Sequence, residues 1–63
     1  MKVTKRRKIS TELLEIGLKG ELLEVVERDL TYQRAIDLKR KLNDGRTKSE
    51  AGEIAYWVEE ERR

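Results

Sequence analysis

A 63-residue chain with neither cysteine nor histidine has to hold itself together by burial alone. Disulfides are excluded, and thiolate and imidazole metal sites go with them. At this length a lone hydrophobic core is thin. Burial against a second copy is therefore the expected stabiliser, and a homodimer the expected assembly. The same two absences argue against an enzyme, because the common nucleophile and acid–base arrangements cannot be built without them. The hydroxyls are Ser10, Ser49, Thr4, Thr11, Thr31, Thr47, Tyr32 and Tyr56, and most stand where caps or strand residues would stand. No catalytic residue, metal ligand or cofactor is expected.

No stretch is long and apolar enough to span a bilayer, so no membrane contact is expected. The basic start runs into Glu-rich sequence where a signal peptide would have an apolar run. The expected compartment is the cytoplasm. Charged residues make up 44% of the chain, and the enrichment in Lys, Glu and Arg with few labile residues fits a thermophile.

The net charge of +2 hides an asymmetry. Residues 1–11 hold Lys2, Lys5, Arg6, Arg7 and Lys8 with no acid, a local charge of +5, and the rest of the chain carries −3. Basic blocks of this kind either bind phosphates or remain solvated tails.

A single domain over 1–63 is expected, with a basic arm or ribbon at 1–13, a helical pair at 18–43 and a C-terminal helix at 47–62. Ile9, Thr11 and Leu13 fall on one face of an extended chain, and Lys8, Ser10 and Glu12 on the other, which suits a half-buried strand. Ser10 or Thr11 could instead cap a helix starting at Glu12. Gly17 and Gly20 disfavour a continuous helix, so a turn is expected near Gly17. Leu18, Leu22, Val25 and Val26 then share one helical face, with Glu21, Glu24 and Glu27 opposite. Thr31 is a good N-cap for a second helix over 32–43, in which Ala35, Leu38 and Leu42 share a face. Lys39, Arg40 and Lys41 suit its dipole, and Gly45 can take a left-handed conformation beyond its end. Thr47 to Glu50 matches the capping box, the sharpest local signal in the chain. The third helix is expected to carry Ala51, Ile54, Ala55 and Val58 as an apolar stripe, with Trp57 at its edge. The expected fold is thus mainly α, a short N-terminal strand plus three helices in a dimer. The alternative is an all-α hairpin or three-helix chain forming a dimeric bundle.

The order of basic strand, helix, Thr-capped turn and second helix resembles the ribbon-helix-helix family of DNA-binding proteins and antitoxins. Lys5 to Leu13 correspond to the ribbon, Leu18, Leu22 and Val25 to the first helix, and Leu30-Thr31 followed by Ala35-Ile36 to the turn and second helix. In that family two chains pair their ribbons into an antiparallel sheet that enters the DNA major groove. The resemblance implies that Lys8, Ser10 and Glu12 face base edges, that Lys5, Arg6 and Arg7 track the backbone, and that the amides near Thr31 hold a phosphate. A β-ribbon fits the major groove, cations supply salt-dependent affinity, and helix N-termini bind anions.

Two functions follow as expectations. The first is a dimeric regulator of transcription that binds double-stranded DNA. Its narrower form is the antitoxin of a toxin–antitoxin pair, with the C-terminal helix against a toxin. The second is a non-enzymatic helical adaptor that binds another protein. Leu22, Val25, Leu38, Ile54, Trp57 and Val58 are the candidate contact residues, Trp being a favoured interface anchor. A helical apolar stripe reads equally as the chain's own core. Tyr32, Tyr56 and Trp57 are far along the chain from the basic arm, so no base-stacking platform is evident for RNA binding.

Overall fold

The computed structural model describes residues 1–61. Its elements are β1 (Lys2–Arg7), α1 (Thr11–Glu15), β2 (Leu22–Glu27), α2 (Tyr32–Asp44), α3 (Lys48–Glu53) and β3 (Ile54–Glu59). The strands form one antiparallel sheet in the order β2-β1-β3. The protein is therefore a small α/β fold rather than a mainly α one, and neither the three-helix dimer nor the all-α bundle describes it.

Two of the expected helices are wholly or partly strands. The first, over residues 18–30, is β2. Leu22, Val25 and Val26 fit a helical stripe, but pairing with β1 overrides that spacing. Two adjacent β-branched valines also favour extended backbone. β2 is irregular as well: its register against β1 shifts between Val3 and Thr4 and again between Lys5 and Arg6, leaving Val26 and Leu23 as extra residues. Bulges of this kind break strict alternation, which is why its sequence does not read as a strand. The third expected helix, over 47–62, stops at Glu53, and Ile54–Glu59 is β3. Ile54, Tyr56, Trp57 and Val58 are strong strand formers, and pairing with β1 overrides the helical spacing. Residue 62 of that expected helix lies outside the described residues.

The basic segment is a strand only over 2–7. Lys8, Ile9 and Ser10 follow without regular structure, and Ser10 Oγ accepts from Leu13 N at 3.4 Å to cap α1. The helix that Ser10 could cap is thus the one that forms. As the middle strand, β1 pairs within the chain along both edges, so Lys5–Arg7 do not offer a free edge for a ribbon between two copies.

The second helix is found where it was expected. Thr31 Oγ1 accepts from Arg34 N at 3.3 Å to cap α2. Gly45 closes that helix in the right-handed region (φ −81°), not the left-handed one: its N–H reaches Lys41 O at 3.0 Å without a conformational switch. Thr47 caps α3 by accepting from Glu50 N (3.2 Å), and its hydroxyl donates to the Glu50 carboxylate (3.1 Å) in place of the backbone bond of a full capping box.

Gly17 turns the chain after α1 with φ +86°, a conformation that L side chains rarely adopt. Gly20 is needed for a different reason. A Cβ there would lie 1.8 Å from Arg7 O, so the loop entering β2 can pass β1 only without a side chain. The core is small: Val3, Ala35 and Ile54 are the buried apolar residues, with Thr4 buried beside them.

Candidate functional site

The alternation of β1 and its regular pairing with β3 sort their side chains onto two faces. Thr4 stands opposite Trp57 and Arg6 opposite Ala55, and Lys2 lies opposite Glu59. On this face Glu59 is the hub. Arg6 donates to both of its carboxylate oxygens, from Nε at 2.7 Å and Nη2 at 3.0 Å. Thr4 Oγ1 also donates to Glu59, and Lys19 Nζ lies 3.8 Å from it. Lys19 Nζ further sits 5.8 Å from the centre of the Trp57 ring, within cation–π range. Hydrogen bonds from Arg6, then from Thr4, and the charge of Lys19 hold the Glu59 carboxyl down at about 2, against the cost of its partial burial. The same pairing raises the Arg6 pKa. The remaining arginine of β1, Arg7, donates from Nε to Glu21 at 2.9 Å. Both arginines of the basic segment thus have a carboxylate partner within the chain, Arg6 in a half-buried pair and Arg7 in an exposed, solvent-screened one.

A different arrangement lies between α2 and the outer edge of β3. Asn43, in the last turn of α2, treats that edge as a neighbouring strand would. Its Nδ2 donates to Tyr56 O at 3.3 Å, and its Oδ1 accepts from Tyr56 N at 3.1 Å. Arg46 continues along the edge, donating from Nη1 to Ile54 O at 2.7 Å and from Nε back to Asn43 O at 3.0 Å. These side chains blunt an otherwise open strand edge. Beside them runs a groove of about 500 Å³. Its helical wall is Tyr32, Ile36, Lys39 and Asn43, spaced 4, 3 and 4 apart and so on one face of α2. Tyr56 and Val58 of β3 form the opposite side, and Lys8 and Arg46 also line it.

The cations here are not neutralised. Lys8 Nζ donates to a carbonyl, Ala51 O, at 2.9 Å, and Arg46 is likewise held by carbonyls. Lys39 makes no ion pair among the described residues. No acidic residue lines the groove. Tyr32 is 64% exposed and Tyr56 half-buried, so two phenol rings accompany three uncompensated positive charges.

The residues expected to touch nucleic acid are thus divided. Arg6 and Arg7 have carboxylate partners; Lys5 is half-buried opposite Tyr56; Ser10 and Thr31 cap helices; only Lys8 lines the groove. The expected contact residues are scattered too. Ile54 is core at 8% exposure, while Leu38, Val25, Trp57 and Val58 are half-buried. Leu22 is exposed. Lys39, Asn43, Arg46 and the two tyrosines were not singled out as a site. Their signal is the mixed polar and apolar spacing of Tyr32, Ile36, Lys39 and Asn43, which becomes meaningful only once β3 is known to be a strand. Folding brings Lys8 beside Tyr32 and Tyr56, although 24 positions or more separate them in sequence.

A second hollow, of about 460 Å³, lies around Met1, Asp29, Thr31, Glu60 and Glu61. Its groups satisfy one another: the terminal amine donates to Leu30 O at 2.8 Å, and Asp29 N donates to Glu61 at 2.6 Å. No group of three or more acidic residues that could hold a metal ion occurs among the described residues, and no helix there is long and apolar enough to cross a membrane. Compared with protein families, with characterised proteins and with solved structures, the chain matches none.

Proposed function

We propose that this chain is a non-enzymatic nucleic-acid-binding protein whose contact surface is the groove between α2 and β3, and that its preferred ligand is single-stranded. The observation that carries this reading is the company kept by Lys8, Lys39 and Arg46. All three line one groove with two tyrosines, and among the described residues none has a carboxylate partner and no acid lines the wall. Cations that track a backbone beside aromatic faces on which bases stack are what single-strand recognition requires. The groove also has no nucleophile–base pair with which to do chemistry.

The expectation of a duplex-binding regulator rested on the basic block at residues 5–8. Carboxylates occupy Arg6 and Arg7, so the support shifts from that block to the groove, and Lys8 is the residue common to both readings. Titration of the chain into a labelled single strand and into its duplex, each at two salt concentrations, tests the proposal. Micromolar binding to the single strand that weakens with salt is the expected result. Tighter binding to the duplex would replace it with the regulator reading, and no binding to either at low salt would end both.

A further inference from the structure

Among the described residues, five of the six exposed large apolar side chains fall between residues 13 and 23: Leu13, Ile16, Leu18, Leu22 and Leu23, at 40, 71, 52, 45 and 40%. They belong to α1, the turn after it and the start of β2, the outer strand on the side of the sheet away from β3. Together they expose on the order of 400 Å² of side-chain surface, within the range of the largest apolar patch on a soluble monomer, which is often a contact site. The segment is preformed. Gly17 turns it at φ +86°, and Leu18 N donates to Leu13 O at 3.1 Å. Yet none of the five residues of α1 is buried, and a helix of one turn has little stability of its own.

We propose that this patch is the interface of a homodimer, in which the α1–β2 segment of one copy covers the same segment of the other. Surface area favours a second copy as the occupant. The folded chain exposes 5003 Å², several hundred Å² more than the roughly 4,200 Å² expected of a compact monomer of this size. A stable dimer removes about 800 Å² per partner, a little over half of it apolar, so the patch supplies most of the apolar part and polar residues around it would supply the rest. Only three apolar residues are buried among the described residues, so the chain gains from burying five more. A two-fold axis through one patch also needs no second surface, since an apolar segment that covers itself is complementary by symmetry. The groove between α2 and β3 lies on other elements and stays open in such a dimer.

Sedimentation equilibrium of the full chain and of Ile16→Asp tests this. The wild type is expected to be a dimer. Ile16→Asp is expected to weaken association by roughly 30-fold or more, the effect of truncating an interface anchor, with an unchanged circular dichroism spectrum because Ile16 is already exposed. The absence of native cysteine permits a second measurement that does not depend on the aspartate variant. Oxidised Ile16→Cys should cross-link into dimers, while Lys48→Cys, on α3, should not. A wild type that stays monomeric up to about 1 mM, the weak limit of specific association, would overturn the proposal and leave the patch to another protein. Cross-linking through residue 48 and not through residue 16 would overturn it as well.

Discussion

Arg6 and Arg46 are both half-buried arginines, and each is fixed by several hydrogen bonds. Arg6 spends its charge on a carboxylate, whereas Arg46 donates only to carbonyls. Both are held in place, but only the Arg46 guanidinium is held without a carboxylate partner among the described residues. The same contrast extends to their neighbours. Lys19 joins Arg6 on Glu59, while Lys8 and Lys39 stand near Arg46 with no acid in the lining. Counting basic residues along the chain cannot separate these two groups, because what distinguishes them is the identity of the acceptor.

The comparison can be broken most violently at the loop that passes the Arg6 side. Gly20→Ala should cost about 3 kcal/mol or more, since the new methyl meets Arg7 backbone that cannot move without disturbing the pairing. Chemical denaturation would measure it. Next comes Glu59→Gln, which leaves Arg6 with a neutral partner and should destabilise by about 2 kcal/mol while leaving nucleic-acid affinity unchanged. A large loss of affinity in this variant would mean that the two groups of cations are not separate.

The same carboxylate sets a pH dependence. Its pKa is about 2 in the folded chain and 4.5 as its ordinary value. A depressed carboxyl contributes stability that is fully present above its unfolded pKa and is lost as pH falls toward the folded one. Stability should therefore be insensitive to this group above about pH 5 and decline between 4.5 and 2, and Glu59→Gln should flatten part of that decline.

On the groove side the effects are smaller and fall on binding. Tyr32→Ala should weaken single-strand binding about tenfold, the loss of one stacking surface, with little change in melting because Tyr32 is mostly exposed. Lys39→Ala should weaken it several-fold and lower the salt slope by about one, the signature of one lost phosphate contact. An unaltered slope would remove Lys39 from the contact.

What the chain reveals before folding is local. The Thr31 and Thr47 caps, the turn at Gly17 and the span of α2 were legible because each depends on residues within a few positions. β2 and β3 were not, for opposite reasons. β2 carries two bulges that erase its alternation, and β3 has an apolar spacing that also fits a helix, so only its partner strand decides. The candidate site depends on that decision. Asn43 reads as a helix stop until the Tyr56 backbone is placed beside it, and Lys8 reads as part of an arm until β1 is placed in the middle of the sheet.

The middle position of β1 also bears on how the chain folds. Of the three strands β1 comes first in sequence, yet it is flanked by the other two, and its six-residue pairing with β3 runs from Lys2–Glu59 to Arg7–Ile54. The sheet cannot close until β3 is present, so β1 has an unpaired edge until then. Such late, long-range closure is slow and leaves a strand edge open to other chains. The end of that strand carries Lys5, Arg6, Arg7 and Lys8, and like charges on a strand edge disfavour its pairing with another copy.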